Sequence, residues 1–221
     1  MPGHRLFVGV RVSVATANAL AACAEMLARR ARDAGPEFSV PGAALKWVAP
    51  ASYHVTLKFL GATRDDAVGA VRDALTDACA GVQAFRFRAA RLGAFASLER
   101  ASVVWAGVED GAALAEVAKR VERAASALGF AAEHRPFHAH VTLARLREPR
   151  PVRELVLPLA EQTFGETRVD AVTLFESETK PSGGVYKELA RIAFGPVTES
   201  GPRREPVADP GDDTDDGWPR R

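Results

Sequence analysis

Cysteine is scarce in this chain: two in 221 residues, Cys23 and Cys79. Both fall in Ala-rich, helix-like stretches, so they read as small buried apolar residues, and a disulfide framework is excluded. Net charge is scarce too. At +1 it removes any bulk electrostatic case for tight nucleic-acid binding and leaves only local basic patches. No run approaches the ~18 consecutive apolar residues of a membrane span. Met1, Pro2, Gly3 and His4 lead into a strand with no signal-peptide pattern. A soluble, cytoplasmic protein without a membrane partner is the expectation. A phosphate-cradling Gly-rich loop followed by Lys and Ser or Thr is missing, so ATP hydrolysis is not suggested.

What is present is enough apolar material, 47% of residues, to bury a core in one large domain or two small lobes. Residues 5–12 alternate Leu6, Val8, Val10 and Val12 against Phe7, Gly9 and Arg11, which is a strand pattern. Residues 17–33 lack breakers and read as a helix closed by Gly35-Pro36, with a Pro41-Gly42 loop beyond. A short strand around Leu45–Val48 precedes a second over 53–60. In that strand Tyr53, Val55, Leu57 and Phe59 are expected on one face, and His54, Thr56 and Lys58 on the other. Thr63 with Asp66 suggests a capped helix running to about Ala80, closed by Gly81. Strands follow over 84–92 and 102–108, with Gly93 and Ser97 to Arg100 in the turn region. A helix over 112–128 ends at Gly129, and another strand spans 137–145. A short helix is expected over Val152–Ala160, then strands 167–176 and 184–194 joined through Pro181-Ser182-Gly183-Gly184. Residues 1–199 form the expected folded unit, with repeat halves of about 1–98 and 99–199. Residues 200–221 read as a disordered acidic and Pro-rich tail, its Asp run solubilising.

Histidine is also sparse, five in all, yet two of the five head identical tetrapeptides, His54-Val55-Thr56-Leu57 and His140-Val141-Thr142-Leu143. Each lies on an expected strand, so each sets an imidazole and a hydroxyl on one face. Each strand also ends a strand–helix–strand layout, which makes the repeat one of arrangement. One isolated copy would read as a structural histidine; two in matching places read as catalytic. Two imidazoles flanking a phosphodiester can divide proton transfer, one deprotonating the attacking oxygen and one protonating the departing oxygen. Thr56 and Thr142 can donate to non-bridging phosphate oxygens. Lys58, Arg135 and Arg145 are candidate phosphate contacts. Strand alternation puts Arg145 opposite His140, so its role requires a twist or bulge. Phe59 and Phe137 are assigned to the core. His134, His138 and His140 invite a metal reading, but only Glu133 is a nearby carboxylate and the first motif adds no acid. No metal is expected.

These residues resemble the two-histidine (H-x-T) phosphoesterase superfamily, and within it the RNA 2′,3′-cyclic phosphodiesterase / 2′-5′ RNA ligase family. The resemblance covers about residues 4–195. It rests on Arg5-Leu6-Phe7-Val8, on Lys46-Trp47-Val48-x-Pro50 leading into His54 to Gly61, on Arg135-Pro136-Phe137 leading into His140 to Arg145, and on Leu174-Phe175-Glu176-Ser177 with Gly184-Val185-Tyr186. Ala139 departs from the family, which often has Pro before the histidine, and brings an extra His138 with it. The resemblance implies an α+β bilobal fold: two antiparallel sheets facing a central cleft, helices outside, and a pseudo-twofold relation. It implies hydrolysis of RNA 2′,3′-cyclic phosphate ends to 2′-phosphomonoesters without metal or other cofactor. His54 would then be the proton donor and His140 the proton acceptor. Reversible, ATP-independent 2′-5′ RNA ligation is implied as a second reaction of the same site. RNA with a cyclic phosphate end is the expected partner of a monomer. The alternatives are a phosphodiesterase for a small cyclic nucleotide such as ADP-ribose 1″,2″-cyclic phosphate, and a non-catalytic RNA-end-binding protein.

Overall fold

The structure, a computed structural model, describes residues 4–35, 38, 45–180 and 183–195. Pro36, Pro41-Gly42, Pro181-Ser182 and the 200–221 tail lie outside the described residues.

Nine strands make one antiparallel sheet: β1 (His4–Arg11), β2 (Leu45–Trp47), β3 (His54–Thr63), β4 (Phe85–Phe95), β5 (Ala101–Glu109), β6 (His140–Arg150), β7 (Thr163–Val169), β8 (Ala171–Lys180) and β9 (Gly183–Ala193). Their order is β7-β4-β5-β6-β3-β1-β8-β9, with β2 added on β6. The expected two sheets are therefore the two flanks of one curled sheet, four strands on each side of the β6–β3 seam. That seam is thin: the one register pair between the flanks is Val55 opposite Val141, both fully buried. The layout repeat is visible in the pairing. Strand β1 lies beside β3 as β5 lies beside β6. Pairing partners, not chain order, define each flank. The hairpin β4–β5 crosses the boundary expected near residue 98, and β8–β9 from the C-terminal part of the chain join β1.

Helices α1 (Val14–Ala34), α2 (Val68–Cys79), α3 (Ala112–Ala127) and the single turn α4 (Arg153–Val156) cover the outer surface. Helix α1 starts three residues before the expected position because Ser13 caps it: its hydroxyl accepts from the Thr16 amide and donates to the Glu166 carbonyl of β7. Helix α3 buries Leu114, Val117, Ala118, Val121 and Ala125, spaced three, one, three and four apart, which is one helical stripe. It ends in a Schellman motif. Gly129, at φ +85°, donates to Ser126 and Phe130 donates to Ala125. Cys23 and Cys79 are buried free thiols, burial pushing both up to about 11.

Two local expectations are corrected. Thr63 caps no helix; it ends β3, is buried, and its hydroxyl donates to the Gly61 carbonyl. Asp66 instead pairs with Arg64, and α2 begins after a 3-10 turn at Asp65–Ala67. The expected strand 167–176 is two strands: the chain turns at Asp170 between β7 and β8. Both stretches are rich in residues that suit strands, so composition alone hides the turn.

Candidate active site

In β3 the burial order is half-buried His54, buried Val55, half-buried Thr56, then buried Leu57 and Lys58, exposed Phe59 and buried Leu60. Alternation breaks at Leu57, where the pairing with β1 skips a residue: Val8 faces Lys58 and Gly9 faces Thr56. This is a β-bulge, with two residues opposing one, and it reverses the faces of Lys58, Phe59 and Leu60, after which a second shift skips Leu60 between Phe59 and Gly61. Strand β6 repeats the first bulge. Val104 faces Ala144 and Trp105 faces Thr142, so Leu143 is skipped, and Arg145 emerges exposed. The sequence carries a trace of this. Leu57 and Leu60 are three apart, as are Leu143 and Leu146, and that spacing does not fit a period of two.

The bulges decide the candidate residues. His54, Thr56, His140 and Thr142 lie on the face of the sheet away from the helices, on adjacent strands. Continued one residue each way, the Val55–Val141 register sets His54 beside Thr142 and Thr56 beside His140. Arg145 joins them, since its charge acts on both imidazoles. Lys58 does not. It is 5% exposed on the helix side, where its ammonium meets Glu122 of α3 at 2.9 Å and the Ala131 carbonyl at 2.6 Å. The phosphate role expected for Lys58 is corrected accordingly. Phe59 takes the place Lys58 was given: it is 63% exposed, with its ring 6.1 Å from that of Phe7, not in the core. Arg135 is exposed and held by both oxygens of Glu133 at 3.0 Å, so its charge is already matched outside the histidine cluster. The neighbouring guanidinium and the backbone bond hold the Glu133 carboxyl down at about 2.

Each imidazole is oriented alike. Nδ1–H of His54 donates to the Ser52 carbonyl at 2.6 Å, and Nδ1–H of His140 to the His138 carbonyl at 2.7 Å. A carbonyl can only accept, so the proton of each neutral ring sits on Nδ1 and leaves Nε2 free to exchange one. The Thr56 hydroxyl lies 3.0 Å from Nε2 of His54. Aromatic rings wall both sites. Phe7 lies 4.9 Å from the His54 ring and Tyr186 edge-on at 5.1 Å; Phe95 stands edge-on to His140 at 4.8 Å. Burial, with Arg11, Arg145 and His140 nearby, pushes His54 down to about 4. Burial, His138 and Arg145 lower His140. The site therefore holds two neutral imidazoles beside a guanidinium, an arrangement built for an anion. Among the described residues no three His, Cys, Asp or Glu side chains gather as a metal-ligand set.

Known proteins of one family are similar to this chain in sequence and fold. The family model described as the 2′-5′ RNA ligase superfamily matches residues 21–181. An RNA 2′,3′-cyclic phosphodiesterase of Aeropyrum pernix is 34% identical over 167 residues, 74% of this chain and 92% of that protein. One of Archaeoglobus fulgidus is 31% identical over 146 residues, 66% and 81% of the two chains. Among solved structures, a Thermus thermophilus protein superposes with a TM-score of 0.69 at 25% identity, covering 86% of this chain and 97% of its own. E. coli LigT complexed with 3′-AMP shares the fold at a TM-score of 0.62 and 24% identity, with 87% and 98% covered. The paired motifs, the sheet that joins them and the family match lead to one conclusion: the chain belongs to the 2′-5′ RNA ligase superfamily.

Proposed function

We propose that this protein hydrolyses 2′,3′-cyclic phosphates at RNA 3′ ends to 2′-phosphomonoesters. The observation that carries this is the duplicated site: two His-x-Thr strands, bulged at the same motif position, holding two imidazoles with Nδ1 bound to a backbone carbonyl, and one guanidinium, on one face. The anionic phosphodiester sits between the imidazoles, and its charge raises both toward protonation. Water attacks phosphorus and gives its proton to Nε2 of His140. The P–O3′ bond breaks, and Nε2–H of His54 protonates O3′. The new P–O bond carries the water oxygen, the phosphate stays on O2′, and the two imidazoles end with their protonation exchanged. Thr56, Thr142 and Arg145 face the non-bridging oxygens, where negative charge grows. Exposed Phe59 offers the base of the terminal nucleotide a stacking surface. With a 5′-hydroxyl in place of water, the same exchange in the same direction breaks P–O3′ and forms a 2′-5′ phosphodiester without ATP. RNA with a cyclic phosphate end is the substrate of both reactions.

Product analysis on an oligonucleotide ending in a 2′,3′-cyclic phosphate tests the assignment. A 2′-phosphate product is expected; a 3′-phosphate product or an intact cyclic end overturns it.

A further inference from the structure

The two histidines differ in what stands opposite them. The register partner of His140 on β5 is Gly107, whereas that of His54 on β1 is Arg11. The Arg11 guanidinium makes three contacts at once. Nη1 donates to the Ala51 carbonyl at 2.6 Å, Nε donates to the Glu188 carboxylate of β9, and Cζ lies 4.9 Å over the Phe175 ring. Ala51 is the middle residue of the 3-10 turn Pro50–Ser52, and Ser52 supplies the carbonyl that accepts from His54. Phe175 stacks on Phe7 at 4.9 Å, and both rings lie against the His54 imidazole. One side chain thus ties down the turn that orients the ring and the aromatic wall that confines it. His140 is oriented by other means: the His138 ring, whose residue lends the carbonyl, packs at 4.9 Å against Trp105 and 5.3 Å from Phe95.

We propose that Arg11 is the positioning residue of His54, fixing the Pro50–Ser52 turn so that the imidazole stays in its Nδ1–H form with Nε2 facing the substrate. This rests on the reading above, in which His54 exchanges a proton with the substrate. The guanidinium fork suits the task because it bonds a carbonyl and a carboxylate in one plane while stacking on a ring, which an ammonium cannot do together. Its charge has a second effect. Arg11 and Arg145 oppose protonation of His54, as does His140, while Glu188 stands against Arg11 and Tyr186 faces the ring. Burial has the larger effect, and Arg11 adds to it in keeping His54 neutral until an anion arrives.

The test reads the imidazole nitrogens directly, by ¹⁵N NMR of the free full-length protein above neutral pH, alongside kinetics on a cyclic-phosphate oligonucleotide. In the unsubstituted protein the Nδ1–H form of His54 is expected to dominate. Arg11→Met keeps the stem over Phe175 but loses both donors. It is expected to give a tautomer mixture and a kcat lower by about 10–100-fold, with KM changed little. Arg11→Lys should restore part of kcat. Glu188→Gln leaves the bond to Ala51, so its tautomer should be unchanged and its kcat should stay within a few fold. An Arg11→Met protein with the original tautomer and kcat overturns the proposal. So does one whose kcat falls only with the folded fraction seen by circular dichroism, or one in which only KM rises. Because the tautomer is read without substrate, it separates this claim from the assigned reaction. If the unsubstituted protein leaves the cyclic phosphate intact, the reaction assignment fails while the tautomer result still decides the role of Arg11.

Discussion

Lys58 and Phe59 are chain neighbours that the fold sends opposite ways, and substitution should separate them. Lys58→Met leaves Glu122 without its ammonium on a half-buried surface, so it should cost about 2 kcal/mol in urea unfolding while kcat per folded molecule holds. Phe59→Ala should barely change stability, since the ring is exposed, but should raise KM for RNA by roughly 5–100-fold as one stacked base is lost. The reverse pattern would return Lys58 to the site. His54→Ala and His140→Ala should each lower turnover by roughly 10²–10⁴. The pH dependence follows from the direction of the shifts. Burial lowers both imidazoles, so kcat/KM, which reports the free enzyme, should peak on the acid side of neutrality. The kcat profile, with the anion bound, should peak higher. Stability has a related sign. His54 is depressed from 6.5 to about 4 in the folded protein, so between those values the unfolded chain binds the extra proton. Its contribution is complete above pH 6.5 and declines as pH falls toward 4, by on the order of 2 kcal/mol. Urea midpoints at the two ends of that window should differ less in His54→Gln than in the unsubstituted protein.

Among the elements, α3 does two jobs. Its buried stripe packs on the sheet, and its Glu122 receives Lys58 beyond the bulge of β3. The Schellman turn at its end leads the chain back toward β6. Gly129 sits there at φ +85° with open space where a Cβ would project, so its constraint is backbone conformation alone. Gly129→Ala should therefore lower Tm by about 2–4 °C, through about 1 kcal/mol of strain, and leave kcat unchanged. Gly9 is constrained by space. A Cβ there would lie 2.9 Å from the Val55 carbonyl and 3.3 Å from the His54 ring, so the β1–β3 pairing depends on its smallness. The end of α3 was legible at Gly129, while the starts of α1 and α2 lay elsewhere than the sequence suggested. The place of Thr63 was not legible, because a threonine that ends a strand and one that starts a helix look alike until the strand's partner is known.

For the whole molecule, the strand order binds the first strand, β1, to the last two, β8 and β9. Strands β1 and β3 pair in one flank with β8 and β9, while β4 to β7 make the other. Neither 1–98 nor 99–199 contains a complete flank, so neither fragment alone should fold. The intact chain should lose activity and near-ultraviolet circular dichroism in one coincident urea transition. Two separated transitions would show that the flanks are independent despite the shared seam. No helix among the described residues is long and apolar enough to cross a membrane.

The sequence by itself determined the chemistry. Two identical His-x-Thr tetrapeptides on strand-like runs name the proposed reactive groups, and period-two alternation places imidazole and hydroxyl together without any tertiary information. It also determined the α+β composition and the helix stripes, because those depend on residues within a few positions of each other. What only the tertiary structure decided lies beyond the bulges at Leu57 and Leu143. A bulge is a mismatch between two strands, so which residue is skipped depends on a partner that is distant in the chain. One skipped residue in each strand sends Lys58 to α3, turns Phe59 out to solvent, and supplies the reversal that Arg145 required. Arg11 became visible for the same reason: its partners, Ala51, Phe175 and Glu188, meet only when β1 lies between β3 and β8.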